Sequence, residues 1–241
     1  MTACDPIGVI FDMDGVLVDS AQAHRRSWQL LAEQTGRTIT DQQFASTFGQ
    51  PSRQIIRQLW GPHLTDQLVS ELDQRKEQIY RQLIAHRIPT MPGALDLIRR
   101  LQQVGAKLAI GSSGPPANID LVIDALDIRQ SFSAIVTGMD VARGKPDPEV
   151  FLLAAKRLQL PAHRCAVIED APAGILAAHR AGMAAVGLVG THPPEKLASA
   201  DLLVHSLDQL DPHCLRSLVD RPSTRTHSCP ATGPQNRPPG A

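Results

Sequence analysis

Four carboxylates of this 241-residue sequence stand directly after short apolar runs. Runs of this kind, such as Ile7 to Phe11, are rich in β-branched residues and are typical of buried strands. A carboxylate at the end of a buried strand is costly unless a cation or hydrogen bonds satisfy it. The sequence therefore marks these side chains as candidates for chemistry. They are Asp12, Asp14, Glu169 and Asp170.

A hydroxyl and an amine occupy comparable places. Ser112 follows the apolar run that ends at Ile110, and Lys145 lies in the loop after the run Ala134 to Thr137. The carboxyl ends of parallel strands meet at one edge of a sheet, so these groups converge with the carboxylates. Crowded carboxylates repel one another, and Mg²⁺ with oxygen ligands relieves that repulsion. Ser112 and Lys145 then suit the oxygens of a transferring phosphoryl group.

Each feature also has a simpler interpretation. Asp14-Gly15 fits a polar turn after a strand, since Asp-Gly is a common turn sequence. Lys145 alone fits a surface residue, and Glu169-Asp170 fits a cap of the next helix. The coincidence of all these side chains at successive strand ends favours a site.

The elements that must position these residues follow two patterns. From Ala94 onward strand-like and helical segments alternate, which predicts an α/β fold with a doubly wound (Rossmann-like), mostly parallel sheet. No strand-like run occurs between Ser20 and Pro89, so a small bundle of helices is inserted there. We expect a core domain of residues 1–19 and 90–220 and an inserted helical domain of residues 20–89. The tail, residues 221–241, is rich in Pro, Ser, Thr and Gly, which predicts disorder.

Composition excludes several other classes of function. The formal net charge is +0 and no long basic stripe occurs, which argues against nucleic acid or an anionic membrane as partner. No apolar run approaches the ~20 residues that span a bilayer, and the N-terminus lacks the apolar segment of a signal peptide. The four cysteines form no C-x-x-C pair. We expect a monomeric cytoplasmic protein whose partner is a small molecule.

Taken in order along the chain, the motifs resemble the haloacid dehalogenase superfamily, in its branch of β-phosphoglucomutase and related sugar-phosphate phosphatases. The resemblance extends from about Ile7 to Val189 and includes the helical insert. It implies that the insert, residues 20–89, is an α-helical cap domain over the site. It implies an enzyme that uses Mg²⁺ to transfer the phosphoryl group of a small phosphorylated metabolite through an aspartyl phosphate. The motifs are Asp12-x-Asp14-Gly15, Ser112, Lys145 and Glu169-Asp170.

The resemblance implies a role for each matching residue. Asp12 is the nucleophile. Asp14 is the general acid and then the base, for which we expect a raised pKa. Ser112 and Lys145 hold the transferring phosphoryl oxygens. The implied Mg²⁺ ligands are the Asp12 side chain, the Asp14 backbone carbonyl, Asp170 and Glu169.

Further matches concern the cap and the binding of the substrate. The resemblance implies that the substrate-binding residues are His24, Gly49, Arg53, Lys76 and, beside Ser112, Ser113. Three of them also have simpler interpretations. Lys76 fits a solvated helix face, His24 fits a helix-surface residue, and Arg53 fits a charge in the first turn of a helix.

Hydrolase and mutase share the aspartyl phosphate and differ in the acceptor, which is water or a second sugar phosphate. His24, Arg53 and Lys76 favour a mutase. The loop after the second strand, Gly114 to Ala117, favours a phosphatase because it offers no polar side chain to grip a second phosphate. We therefore expect a phosphatase. The alternative is a β-phosphoglucomutase that interconverts β-glucose 1-phosphate and glucose 6-phosphate.

Two other classes stay open on the same scaffold. One is a non-catalytic binding or regulatory protein, against which the presence of Asp12, Lys145 and Asp170 argues. The other is a dehalogenase, since a fold does not dictate a function. The second aspartate, Asp14, and the metal-site partners fit phosphoryl chemistry better.

Overall fold

The computed structural model describes residues 5–47 and 50–221. Within these ranges the strands are β1 (Gly8–Phe11), β2 (Lys107–Gly111), β3 (Ala134–Val136), β4 (Cys165–Glu169), β5 (Ala184–Leu188) and β6 (Leu202–Val204). The helices are α1 (Ala21–Gln34), α2 (Asp41–Thr47), α3 (Ser52–Trp60), α4 (Asp66–Ile84), α5 (Ala94–Gln103), α6 (Pro116–Ala125), α7 (Glu149–Leu158), α8 (Pro172–Arg180), α9 (Pro194–Leu197) and α10 (Pro212–Val219). The strands and helices therefore alternate as the sequence predicts.

The strands form one parallel sheet in the order β3-β2-β1-β4-β5-β6. Strand β1 is central, with Phe11 opposite Ile110 of β2 and Ile168 of β4. All four residues of β1 are buried, which is why its sequence shows no polar alternation. The predicted doubly wound α/β fold is confirmed.

Each face of the sheet carries its own hydrophobic core. Val9 and Phe11 pack in one cluster with residues of α5, α6 and α10, while Ile10 packs in the other cluster with residues of α7 and α8. Successive side chains of a strand point to opposite faces, so one strand contributes to both layers. Covered on both faces, the sheet leaves the strand ends as the place for polar side chains.

Helices α1 to α4 form a separate layer with a third hydrophobic cluster, which includes Trp28, Leu31, Ile56 and Ile79. Two residues of α4, Tyr80 and Ile84, are exceptions, because they pack with Val9 and Phe11 in the hydrophobic core on one face of the sheet. Helix α4 therefore contacts both layers. We propose that residues 20–89 form the cap domain, and that residues 1–19 and 90–220 form the core domain.

The chain crosses between the two layers twice, and the crossings lie side by side. The N–H of Asp19 donates to the carbonyl of Pro89 at 2.7 Å, and the N–H of Met91 donates to that of Leu17 at 3.0 Å. Among the described residues, every helix is too short or too polar to cross a bilayer. Residues 222–241 lie outside the described ranges, so the disorder of the tail stays a prediction.

Candidate active site

The ends of β1 and β4 bring three carboxylates together. Asp12 follows β1, its N–H donates to the carbonyl of Ile168 at 3.0 Å, and Glu169 and Asp170 lie at the end of the neighbouring β4. One carboxylate oxygen from each of Asp12, Glu169 and Asp170 lies within 4.8 Å of the others, and all three residues are buried. The convergence predicted from strand order is therefore present for these residues.

Lys145 reaches the same cluster from the loop after β3. Its Nζ donates to Asp12 Oδ1 and to Glu169 Oε1, each at 2.7 Å, and its side chain is only 9% exposed. Burial lowers the pKa of Lys145, but Asp12 and Glu169 outweigh burial and raise it above its usual range. Lys145 is thus a charged member of the site and not a surface residue.

Three carboxylates beside one ammonium leave an excess of negative charge in a buried place. Burial raises the pKa of Asp12 to about 7, with Glu169 and Asp14 adding to the rise and Lys145 opposing it. Burial, Glu169 and Asp12 likewise raise the pKa of Asp170 well above its usual range. A hard divalent cation would remove this excess and takes oxygen ligands, so the residues present fit Mg²⁺.

Two glycines allow the elements to approach the acidic cluster closely. Gly15 has φ of 77°, and a Cβ there would lie 1.9 Å from Asp170 Oδ2. A Cβ on Gly174 of α8 would lie 1.8 Å from Glu169 Oε1. Glu169 also accepts a hydrogen bond from the N–H of Ala171 through Oε2 at 2.9 Å. The start of α8 therefore fixes the Glu169 carboxylate that holds Lys145.

Asp14 faces the helical layer. Its Oδ1 accepts from His24 Nε2 at 3.1 Å and from the Tyr80 hydroxyl at 3.2 Å. Lys76 Nζ lies 2.8 Å from His24 Nδ1. A lysine ammonium only donates, so Nδ1 is the acceptor and the ring proton sits on Nε2, directed at Asp14. The helical layer thus supplies a chain of hydrogen bonds to this carboxylate.

The predicted rise in the pKa of Asp14 is wrong for this arrangement. Burial raises the pKa, but His24, Ser20 and Lys76 together outweigh burial and hold it well below its usual range. The expectation followed from the role of Asp14 as an acid, whereas the groups that lower its pKa come from residues that the helical layer brings in.

Ser112 is buried at the end of β2, and its Oγ accepts from the N–H of Gly114 at 3.0 Å. A Cβ on Gly114 would lie 3.3 Å from Ser112 Oγ and 3.9 Å from Asp14 Oδ2. Ser112 Oγ and Asp14 Oδ2 therefore both lie next to the space beside the Cα of Gly114. Ser113, which precedes Gly114, is exposed.

Comparison with known proteins agrees with this geometry. A family model of haloacid dehalogenase-like hydrolases matches residues 8–182, which is most of the chain. The chain belongs to this family. It is an enzyme of the branch that contains β-phosphoglucomutase and the sugar-phosphate phosphatases, as its motifs predict.

Three curated relatives of this haloacid dehalogenase-like enzyme have similar length. The validoxylamine A 7'-phosphate phosphatase of Streptomyces hygroscopicus subsp. limoneus is 34% identical over 83% of this chain and 94% of its own. The β-phosphoglucomutase of Bacillus subtilis (strain 168) is 36% identical over 84% of this chain and 90% of its own. Hexitol phosphatase A of Escherichia coli (strain K12) is 33% identical over 84% of this chain and 92% of its own. The solved structure of a β-phosphoglucomutase from Clostridium difficile superposes on this one with a TM-score of 0.79 at 27% identity. The match covers 89% of this chain and 97% of the other.

The structure connects some of the predicted cap residues of this haloacid dehalogenase-like enzyme to the site and leaves others apart from it. His24 joins the site through Asp14, and Lys76 is buried against His24 and Glu77 instead of lying on a solvated face. Arg53 lies on the exposed side of α3, with its Nε 3.5 Å from Asp73. Gly49 lies outside the described residues. The substrate-binding role of these residues stays a prediction.

Sequence reasoning missed Tyr80, which contacts Asp14 directly. Tyr80 is 1% exposed, and its ring stacks on His24 with centroids 4.0 Å apart. It lies four residues after Lys76, so both share a face of α4. That spacing, which puts an aromatic residue on the same helix face as a predicted site lysine, is the signal that could have identified Tyr80.

Proposed function

We propose that the protein is a Mg²⁺-dependent phosphatase of small phosphorylated metabolites, above all sugar phosphates, which acts through an aspartyl phosphate. The observation that carries this proposal is the position of Asp12, whose carboxylate meets Lys145 and two further carboxylates at the end of the central strand. The names of the curated relatives, among them a validoxylamine A 7'-phosphate phosphatase and a hexitol phosphatase, support this class of substrate.

The residues divide the chemistry between them. An Asp12 oxygen attacks phosphorus, which forms the aspartyl phosphate as the bond from phosphorus to the leaving oxygen breaks. Asp14 gives a proton to that oxygen. Water then attacks phosphorus, Asp14 takes its proton, and the bond to Asp12 breaks to release phosphate. Ser112 and Lys145 bind the phosphoryl oxygens throughout.

Mg²⁺ would be held by the side chains of Asp12 and Asp170, the backbone carbonyl of Asp14 and, within the same cluster, Glu169. When bound, it neutralises charge on the transferring phosphoryl group. The dianionic phosphoryl group of a substrate adds negative charge beside Asp14, which favours the protonated form needed for its role as acid. We propose that the remainder of the substrate lies among His24, Gly49, Arg53, Lys76 and Ser113, and that the enzyme is a cytoplasmic monomer.

A phosphomutase is the second candidate. The 36% identity to the β-phosphoglucomutase of Bacillus subtilis (strain 168) and the hydrogen bond from His24 to Asp14 favour it. The segment from Gly114 to Ala117, which runs from the loop after β2 into α6, favours the phosphatase, because its side chains offer no hydrogen-bond donor for a second phosphate.

The decisive experiment measures phosphate release from a panel of sugar and polyol phosphates with Mg²⁺. We expect wild type to release phosphate and Asp12→Asn to lose roughly 1,000-fold or more in kcat. Asp19→Asn is the matched control, because Asp19 is exposed and close in sequence. An Asp12→Asn variant that keeps a tenth of the wild-type kcat would contradict the assignment of the nucleophile.

A second assay separates phosphatase from mutase. The enzyme receives β-glucose 1-phosphate with a trace of the 1,6-bisphosphate and Mg²⁺. We expect free phosphate as the product. Glucose 6-phosphate without free phosphate would establish the mutase instead.

A further inference from the structure

A polar contact joins the helical layer to the core at a distance from the acidic cluster. Asn118, in the first turn of α6, is 5% exposed, and its Nδ2 donates to Glu77 Oε2 of α4 at 2.6 Å. Arg81, one turn further along α4, donates from Nη1 to Asn118 Oδ1 at 2.8 Å. Because the arginine occupies the amide oxygen, the amide nitrogen of Asn118 must face Glu77.

The other oxygen of Glu77 continues the contact towards the site. Lys76 Nζ donates to Glu77 Oε1 at 2.8 Å, and the exposed fractions of the two side chains are 4% and 13%. The same ammonium reaches His24 Nδ1, and His24 Nε2 reaches Asp14 Oδ1. An unbroken series of hydrogen bonds therefore runs from α6 through α4 and α1 to the carboxylate of Asp14.

The series is sensitive to the position of α4. Glu77 lies between a neutral amide and a buried ammonium, so its carboxylate balances the charge of Lys76 and fixes where Lys76 points. If α4 moved away from α6, Glu77 would lose Asn118, and Lys76 would be free to follow Glu77 away from His24.

We propose that Glu77 and Asn118 hold α4 on α6 and are positioning residues, because Asn118 fixes Glu77 and Glu77 fixes Lys76 against His24, the donor to Asp14. The inference rests on the proposed function of Asp14 as acid and base. Losing either side chain should therefore slow a reaction whose leaving group takes a proton from Asp14. A substrate whose leaving group needs no proton should be affected less.

The test moves the carboxylate from position 77 to position 118 and the amide from position 118 to position 77. Glu77→Gln alone places an amide against Asn118, whose oxygen is held by Arg81, and Asn118→Asp alone places a carboxylate against Glu77. The double variant, which combines Glu77→Gln with Asn118→Asp, restores the hydrogen bonding. The new amide at position 77 donates to the new carboxylate at position 118 and accepts from Lys76, while Arg81 pairs with that carboxylate. Kinetics are measured on the sugar phosphate that wild type hydrolyses fastest and on p-nitrophenyl phosphate.

We expect each single variant to lose about tenfold in kcat/KM on the sugar phosphate and less than about twofold on p-nitrophenyl phosphate, and the double variant to recover most of the loss. Glu71→Gln is the matched control, because it removes the same charge from an exposed position of α4. Equal losses on both substrates, or a folded double variant no better than the singles, would overturn the proposal.

A second measurement does not need activity. Small-angle scattering should give a larger radius of gyration for Asn118→Asp than for wild type, and the wild-type value for the double variant. If wild type hydrolyses no phosphate ester, the proposed function fails while scattering still decides whether this pair holds α4 on α6. A radius unchanged in both single variants would refute the docking role.

Discussion

At the scale of single residues, the two oxygens of Asp14 have different surroundings. Oδ1 accepts from both His24 and Tyr80, whose rings stack with an interplanar angle of 3°. Oδ2 lies towards Gly114 and Ser112, on the side where we place the phosphoryl group. We infer that the first oxygen holds the carboxylate in place and the second exchanges the proton. Fixing a reactive group in this way removes reorganisation during the reaction.

Tyr80→Phe tests this division because it keeps the ring stacked on His24 and removes only the hydroxyl. Losing a hydrogen bond to a charged group costs about 1.5 kcal/mol or more, so we expect kcat/KM for a sugar phosphate to fall roughly tenfold. The value for p-nitrophenyl phosphate should stay within about twofold, since that leaving group departs without a proton.

Ile79→Val is the control for Tyr80→Phe. Ile79 is the neighbouring buried residue of α4 but packs in the cluster of the helical layer. We expect it to lower stability by about 1 kcal/mol and to leave both kcat/KM values unchanged. A Tyr80→Phe variant that behaves like Ile79→Val would show that the hydroxyl has no part in aligning Asp14.

At the scale of elements, the contact of α8 with β4 determines how tightly the acidic cluster is built. Gly174 lets the first turn of α8 lie directly on Glu169, and the N–H of Ala171 holds the same carboxylate. Glu169 in turn fixes Lys145 beside Asp12. The helix therefore acts on the nucleophile through two side chains.

Gly174→Ala should damage activity more than stability. The added Cβ forces Glu169 or α8 to move, so we expect kcat to fall at least about 100-fold, with a stability loss of about 1–3 kcal/mol. The control is Gly105→Ala, which strains a residue with φ of 72° in open space and should cost about 1–2 kcal/mol with unchanged kcat. Parallel losses of activity in both variants would contradict this interpretation.

Another element contact gives a pH-dependent stability. Asp140, after β3, pairs with Arg157 of α7 at 2.6 Å and accepts from the N–H and hydroxyl of Thr137, each at 2.8 Å. Arg157 and Thr137 lower the pKa of Asp140 to about 2, while slight burial opposes them. The folded pKa lies below the unfolded one, so this stabilisation is present above about pH 4 and is lost as pH falls towards 2.

Asp140→Asn should therefore be less stable than wild type by about 1 kcal/mol near neutral pH, with the difference shrinking below about pH 4. Urea unfolding at several pH values measures it. Asp96→Asn, which removes a carboxylate from an exposed ion pair on α5, is the control, and we expect its stability to stay within about 0.5 kcal/mol of wild type. A difference for Asp140→Asn that is constant with pH would rule out its ionisation as the cause.

At the scale of the whole molecule, we propose that the acidic cluster makes the stability of the fold depend on Mg²⁺. Asp12, Glu169 and Asp170 come from two strands separated in sequence, so an ion that bridges them ties these strands together. Any ligand that binds only the folded state stabilises it, by about 2.7 kcal/mol at a concentration of 100 times Kd.

We expect a chelator to abolish activity and Mg²⁺ to restore it. We also expect saturating Mg²⁺ to raise the Tm of wild type by about 5–10 °C and to leave the Tm of Asp170→Asn unchanged. Asp96→Asn should keep the full shift, because Asp96 is exposed on α5. Full activity in excess chelator, or the same shift in Asp170→Asn, would remove this cluster as the metal site.

The sequence by itself determined the sheet and the side chains at its edge. Apolar runs that end in Asp12, Ser112 and Glu169 identify buried strands, and strands that alternate with helices must be parallel. Parallel strands end at one edge, so convergence of these residues with Lys145 follows from their order along the chain. The sequence thus predicts that Lys145 approaches the site of Asp12, 133 positions earlier, and the structure adds the direct contact between the two side chains.

Only the tertiary structure decided what the helical layer contributes. A helical pattern shows which face of α4 is buried but not what that face packs against. Docking of α4 brings Tyr80 to Asp14 across 66 positions and Glu77 to Asn118 across 41. The same docking brings Lys76 to His24 and reverses the expected direction of the pKa shift of Asp14, because a pKa depends on every charge and donor nearby in space.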